Sequence, residues 1–305
     1  MRPVVRSTLG LFSVLLIAAA CGGDGDEGTP STEAGVPEGG AGQADATADA
    51  RADAGGGVAG SAGCGMEPSG LARTLQVNGA TRTFEVYTPA DYDNTRSYPL
   101  VVALHGGGGT GAGFQRDSGL DSAVGSDAIV VYPDGLPEFA GGSTVFILDP
   151  VGEGFAFIDA LLTHLQDGLC VDRSRIFATG WSMGGFMTNS LGCYRSDVFA
   201  GIASVSGGVP GDKPPAPPYP TCEGQVPAMF IHGTSDRIIP VSFGEEMRDI
   251  FVANNGCAST SAGVEPPPCV AYDACTQPTL WCGYDGGHAW PEFYATAAWR
   301  FFSSL

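Results

Sequence analysis

Short, mainly apolar runs alternate with longer mixed stretches over most of this chain. Six such runs of four or five residues cover 100–104, 128–132, 175–179, 202–205, 228–231 and 279–282. Apolar runs of this length are typical of strands covered on both faces, as in a parallel sheet. Two further extended runs, 74–77 and 82–87, flank Asn78-Gly79, a hairpin turn signal. The pattern predicts eight strands.

A helical period lies between two of these strands. Apolar side chains recur at intervals of three and four residues at Phe155, Ile158, Leu161, Leu162, Leu165 and Leu169. This spacing places them on one face of an amphipathic helix. We expect further helices after Ser182 and around 243–252. Alternating strands and helices predict one α/β domain, a mostly parallel eight-stranded sheet flanked by helices.

The N-terminal region differs in composition from the rest. Arg2 and Arg6 precede a short apolar stretch ending at Ala20, which predicts a signal peptide over residues 1–20. Small residues directly before Cys21 resemble a bacterial lipobox, so Cys21 is a candidate lipidation site; the alternative is ordinary cleavage near Ala20. Residues 22–63 contain no aromatic side chain and predict a disordered linker rich in Gly, Ala and Asp. The folded domain is expected over residues 64–305.

Charge narrows the classes of partner. The chain carries 14 basic and 33 acidic residues, a net charge of −19. Such a chain does not neutralise phosphates, which argues against nucleic acid and anionic membrane surfaces as partners. Membrane association is expected through the lipid anchor alone, and the surface suits a neutral substrate.

Nine cysteines indicate an oxidising compartment. Without Cys21, an even set of eight remains: Cys64, Cys170, Cys193, Cys222, Cys257, Cys269, Cys275 and Cys282. In a secreted or cell-surface domain this set predicts disulfides, although eight cysteines allow 105 pairings. A zinc site in the last four is the alternative, but no CxxC pair occurs. We expect no metal.

A nucleophile motif follows the predicted strand at 175–179. Gly180-Trp181-Ser182-Met183-Gly184 has the pattern G-x-S-x-G and precedes a segment that can be helical. This strand–turn–helix setting is that of a nucleophile elbow, with Ser182 as the nucleophile. The alternative is a glycine-rich turn with an idle serine.

A serine nucleophile needs a base and an orienting acid further along the chain. His288 lies in a glycine-rich loop after the last strand and is the predicted base, whereas His232 and His164 are expected to have local roles. Asp236 follows the strand at 228–231 and is the predicted acid. Asp285 is the rival acid, although it is better explained as a turn residue.

A second glycine-rich loop, 105–109, follows the strand at 100–104. Such a loop supplies one backbone N–H of an oxyanion hole, while the residue after the serine supplies the other. We therefore assign Met183 and Gly107 to this role, with the neighbouring glycines as alternatives. The loop lacks the Gly-Lys-Ser/Thr ending of a phosphate-binding P-loop.

Together these motifs resemble the secreted feruloyl esterases and polyhydroxybutyrate-depolymerase-like esterases of carbohydrate esterase family one, which have the α/β-hydrolase fold. The resemblance covers roughly residues 64–291. It is carried by Leu104-His105-Gly106, Phe177-Ala178-Thr179-Gly180-Trp181-Ser182-Met183-Gly184-Gly185, His232-Gly233-Thr234-Ser235-Asp236, Asn255-Gly256-Cys257 and Gly286-Gly287-His288-Ala289-Trp290-Pro291. It implies a triad of Ser182, Asp236 and His288. It also implies disulfides among Cys64, Cys170, Cys193, Cys222, Cys257 and Cys275, with Cys269 and Cys282 as an additional pair.

The resemblance further implies a serine esterase without a cofactor that acts on an ester-bearing polysaccharide, most simply on feruloyl groups. Acetyl xylan or short polyhydroxyalkanoates are alternative substrates, and a peptidase is disfavoured because no gating domain is evident upstream. A different class of function would be an inactive, surface-tethered binding protein. Residues 139–149 and 151–156 depart from the family pattern and are expected to border the acyl pocket. Oligomeric state is left open.

Overall fold

A computed structural model describes residues 60–67, 71–137, 144–148, 150, 152–209 and 222–305. The predicted signal peptide, the candidate lipidation site Cys21 and most of the predicted linker lie outside these residues. Among the described helices, none is both long and apolar enough to cross a bilayer.

Ten strands of the described residues form the main sheet. They are β1 (Thr74–Val77), β2 (Ala80–Tyr87), β3 (Tyr98–Leu104), β4 (Ile129–Pro133), β7 (Val171–Trp181), β8 (Gly201–Val205), β9 (Ala228–Gly233), β10 (Ser261–Gly263), β11 (Val270–Tyr272) and β12 (Thr279–Tyr284). Their order across the sheet is β1-β2-β4-β3-β7-β8-β9-β12-β11-β10. The six central strands, from β4 to β12, pair in parallel. The strands at both ends pair antiparallel.

The predicted fold class is confirmed, and each of the eight predicted strands is present. The strand count was wrong because β10 and β11 extend one edge of the sheet. Each has three residues, too few to show a two-residue hydrophobic period. A separate two-stranded sheet pairs β5 (Leu136–Pro137) with β6 (Thr144–Val145).

Helices cover both faces of the sheet. They are α1 (Gly111–Ser118), α2 (Leu120–Val124), α3 (Glu153–Gly168), α4 (Met183–Tyr194), α5 (Val241–Asn254) and α6 (Tyr294–Ser303). Buried side chains of α3, α4 and α5 belong to one apolar core, and those of α1, α2 and α6 to the other. Strand β3 contributes Leu100, Val102 and Leu104 to the first core and Val101 and Ala103 to the second. This alternation explains why its sequence is apolar throughout.

Four disulfides link the eight predicted cysteines. They join Cys64 to Cys170, Cys193 to Cys222, Cys257 to Cys275, and Cys269 to Cys282. The last four cysteines are therefore paired with one another, which excludes the zinc alternative because no thiolate remains to bind a metal. Bonds of this kind form in oxidising compartments and fit an extracellular protein.

The folded domain begins earlier than the predicted boundary at Cys64. Ser61 is buried, and its hydroxyl donates to the Leu169 carbonyl at 2.6 Å while accepting from the Val171 N–H at 2.9 Å. The N–H of Gly63 donates to the Gln166 carbonyl at 2.7 Å. Composition assigned 60–63 to the linker because these four small residues show no hydrophobic period.

Candidate active site

Ser182 lies in a sharp turn between the end of β7 and the start of α4. Its φ of 56° is in the left-handed region, an uncommon conformation for a residue with a side chain. A Cβ on Gly180 would lie 2.5 Å from the Gly184 carbonyl oxygen, and one on Gly184 would lie 2.1 Å from the Leu104 carbonyl oxygen. The two glycines are therefore required by close backbone packing. The turn has the geometry of a nucleophile elbow.

The structure brings together the three residues that the sequence analysis selected. His288 Nε2 lies 2.9 Å from Ser182 Oγ, and His288 Nδ1 lies 2.7 Å from Asp236 Oδ2. A carboxylate accepts hydrogen bonds, so Nδ1 carries the proton and donates to Asp236. Nε2 is then free to accept from the serine hydroxyl. This is the arrangement that makes a serine nucleophilic.

Asp236 is held by its own loop. Its side chain is fully buried, and Oδ1 accepts hydrogen bonds from the backbone N–H groups of Ile238 and Ile239, each at 2.9 Å. Burial favours the neutral acid, but the hydrogen bonds from His288 and the two backbone groups outweigh it and lower the pKa of Asp236. The carboxylate stays ionised at neutral pH. The rival Asp285 is exposed.

His232 also lies beside Asp236. This histidine is buried, and its Nε2 is 2.9 Å from the Ile239 carbonyl oxygen, the local bond that was expected, and 3.5 Å from Asp236 Oδ2. Burial lowers the pKa of His232, which favours the neutral ring. The bond to Ile239 ties down the turn whose N–H groups hold Asp236. Its motif position showed that His232 was near the acid, but not that it braces this turn.

His105 organises the glycine loop from below. The Gly135 N–H donates to His105 Nε2 at 2.9 Å, so Nδ1 carries the proton and donates to the Gly106 carbonyl at 2.7 Å. The ring is buried, and burial lowers the pKa of His105, so it remains neutral. The motif that contains His105 predicted no separate role for this residue.

Two N–H groups of the loop are already bonded within the protein. Gly108 donates to the Thr144 carbonyl at 2.8 Å and Gly109 to the Gly106 carbonyl at 3.0 Å. A Cβ on Gly107 would lie 3.9 Å from Met183 Cβ, so these two residues are neighbours. The Met183 N–H begins α4 and has no partner within the helix. Gly107 therefore lies next to the residue that directly follows Ser182.

An aromatic pocket of about 300 Å³ opens beside this loop. Trp181 and Trp290 pack edge to face with ring centroids 4.9 Å apart, and Phe114 packs against Trp290 at 5.5 Å. The Trp181 ring lies 5.0 Å from the His288 ring. The three aromatic residues come from distant parts of the chain, so no local motif predicted the pocket.

The two segments expected to border the acyl pocket are described in part. Thr144 contacts the glycine loop, since its hydroxyl donates to the Gly109 carbonyl at 2.5 Å. A Cβ on Gly154 would lie 2.0 Å from the Ile147 carbonyl oxygen, so the two segments pack together. Residues 139–143, 149 and 151 lie outside the described residues.

Proteins similar in sequence match most of this chain. A family model described as Phospholipase/Carboxylesterase matches residues 151–264. The probable feruloyl esterase C of Aspergillus niger is 34% identical over 266 residues, which cover 80% of this chain and 91% of that protein. The feruloyl esterase C of Emericella nidulans is 32% identical over 264 residues, with 80% and 91% covered.

Solved structures share the fold at lower identity. The acetyl xylan esterase from Aspergillus awamori superposes with a TM-score of 0.59 at 18% identity, covering 76% of this chain and 98% of that one. The ferulic acid esterase from Anaeromyces mucronatus superposes with a TM-score of 0.52 at 19% identity, covering 75% and 87%. At these identities the likeness shows the fold.

Proposed function

Because this chain belongs to the same family of carboxylic ester hydrolases as the fungal feruloyl esterases C, we propose that it cleaves feruloyl and related hydroxycinnamoyl esters on plant cell-wall polysaccharide. The observation that carries the proposal is the hydrogen-bonded series from Ser182 through His288 to Asp236. The aromatic pocket supports an aromatic acyl group, since an acetyl group would leave most of it unfilled.

The mechanism follows from the geometry. His288 Nε2 takes the proton of Ser182 as Oγ attacks the ester carbonyl carbon. Asp236 stabilises the resulting imidazolium, and the N–H groups of Met183 and Gly107 donate to the oxyanion. The intermediate collapses to an acyl-enzyme as the bond to the sugar oxygen breaks and His288 protonates that oxygen, which leaves as a hydroxyl. Water, deprotonated by the same histidine, then releases the acid and restores the serine. No step requires a metal or an organic cofactor.

The test is hydrolysis of methyl ferulate by the purified protein, compared with acetylated xylan and a hydroxybutyrate polymer. We expect methyl ferulate to have the highest kcat/KM. The variant Ser182→Ala should lose activity by about 10⁶-fold. Equal turnover by wild type and variant would refute the assignment. Failure to react with a fluorophosphonate probe would instead favour the inactive binding protein.

We also propose that residues 1–20 direct export and that Cys21 is lipidated, so that the linker tethers the enzyme to the cell surface. The four disulfides support export. Labelling of cells with an alkyne fatty acid should mark the wild type and not Cys21→Ala. Equal labelling of both proteins would contradict lipidation at this position.

A further inference from the structure

A second groove lies at the amino ends of the central strands, whereas Ser182 lies at their carboxyl ends. It has a volume of about 740 Å³ and is lined by residues that include Arg96, Asp127, Asp172, Arg175 and Trp299. Asp172 is the second residue of β7, whereas Ser182 directly follows its last. Alongside β7, the neighbouring strand β3 takes only six residue steps, from Tyr98 to Leu104, to pass from Val171 to Gly180. At about 3.3 Å per residue, the groove and the nucleophile are roughly 20 Å apart along the sheet. The groove is therefore separate from the catalytic site.

Two of its charged groups have hydrogen-bonding capacity to spare. Asp172 is 5% exposed, and its Oδ1 accepts from the N–H and hydroxyl of Ser174 at 3.0 and 2.6 Å. Within the part of the chain that the structure describes, Asp172 Oδ2 accepts no hydrogen bond, and the half-buried Arg175 makes no hydrogen bond or ion pair. Both residues line the groove.

The remaining groups fit a neutral polyol. Arg96 and Asp127 lie 3.9 Å apart on the rim, so the four charged side chains balance and favour neither a polyanion nor a polycation. Sugar hydroxyl groups both donate and accept, which satisfies carboxylates and guanidinium groups together. The half-buried indole of Trp299, on the last turns of α6, supplies an apolar face at the same groove. The volume lies in the ~300–1,000 Å³ range of small-molecule sites.

We propose that this groove is a second, non-catalytic binding site for a neutral polysaccharide chain. The choice of a cell-wall polysaccharide rests on the proposed function, but the presence of a sugar site does not. A chain held here would keep the enzyme on the polymer while Ser182 acts on esters elsewhere along it. Because of the separation, a short oligosaccharide in the groove leaves the catalytic serine open.

The experiment is calorimetric titration of xylohexaose, which carries no ester, into the full protein with Ser182→Ala. Trp299→Ala, or Arg175→Gln in case the indole is needed for folding, should weaken binding roughly tenfold, the effect of losing one good contact. Arg300→Gln is the matched control, since this exposed arginine on α6 does not line the groove. It should leave binding unchanged.

In proteins that keep Ser182, the groove substitutions should reduce ferulate release from insoluble arabinoxylan while leaving methyl ferulate turnover within about twofold of wild type. The titration does not depend on ester hydrolysis, so absence of turnover would count against the proposed function and not against the groove. Xylohexaose binding that neither groove substitution changes would overturn the proposal. The proposal would also be overturned if the groove substitutions weakened binding of a sulfated polysaccharide but not of xylohexaose, because that result would make the groove an anion site.

Discussion

Replacing Asp236 with asparagine removes the charge of the site and keeps its shape. The carbonyl oxygen of the new side chain can still accept from the N–H groups of Ile238 and Ile239, as Oδ1 does at 2.9 Å. Its NH₂ group must then occupy the position of Oδ2, which faces His288 Nδ1 at 2.7 Å. Two donors cannot face each other there, so His288 must move its proton to Nε2.

The consequence falls on the nucleophile. With a proton on Nε2, His288 faces Ser182 Oγ at 2.9 Å as a donor and cannot accept the serine proton. The same change in a serine protease triad lowers kcat about 10⁴-fold. That factor corresponds to about 5.4 kcal/mol of lost transition-state stabilisation. KM should stay close to the wild-type value, since Asp236 is fully buried behind the histidine.

The assay is steady-state hydrolysis of methyl ferulate by wild type, Asp236→Asn and Asp285→Asn. The second variant is the matched control, because Asp285 is exposed and lies on the same loop as His288. It should retain activity within about twofold. A loss smaller than tenfold in Asp236→Asn, or a larger loss in Asp285→Asn, would refute the reasoning about the orienting acid.

Three other outcomes are expected. Gly106→Ala should lower kcat much more than Gly107→Ala, because a Cβ on Gly106 would lie 2.5 Å from the Trp181 ring whereas a Cβ on Gly107 would lie 3.9 Å from its nearest neighbour. Steady-state kinetics of both variants check this prediction, with circular dichroism as the folding control. Removing the Cys64–Cys170 disulfide, which spans 106 residues, should lower the free energy of unfolding by about 4.7 kcal/mol in the chain-entropy model, as measured by urea titration. A smaller loss than that caused by removing Cys269–Cys282, which spans 13 residues, would contradict the prediction. Because the pKa of Asp236 is lowered in the folded protein, ionisation of this carboxyl stabilises the fold above about pH 4, and this stabilisation is lost as the pH falls through the folded-state pKa. In thermal melts, the difference in melting temperature between wild type and Asp236→Asn should therefore narrow below pH 4.

The sequence predicted the sheet and the three central side chains because both depend on order along the chain. Parallel strands end at one edge, so residues that directly follow them converge there whatever their separation in sequence. Ser182 follows β7, Asp236 lies just beyond β9, and His288 lies just beyond β12. The two glycines of the elbow motif reflect the packing around it, since a Cβ on Gly180 or Gly184 would collide with backbone atoms.

Features that depend on contacts between distant segments were not predicted. His105 supports the glycine loop through one hydrogen bond from the Gly135 N–H and another to the Gly106 carbonyl, and the sequence does not show that Gly135 lies next to His105. Strands β10 and β11 are too short for a periodic signal. The second groove is lined by residues near the starts of several strands and by residues of α6. Each is a consequence of tertiary packing.

The same distinction separates chemistry from specificity in this esterase. The groups that we propose activate Ser182 follow strand ends, so topology sets their placement and each lies in a local motif. The aromatic pocket instead combines Phe114 from α1, Trp181 from the end of β7 and Trp290 from the loop before α6. If the pocket holds the acyl group as proposed, substitutions at Phe114 or Trp290 should change the acyl group that fits while the hydrogen bonds among Ser182, His288 and Asp236 stay intact.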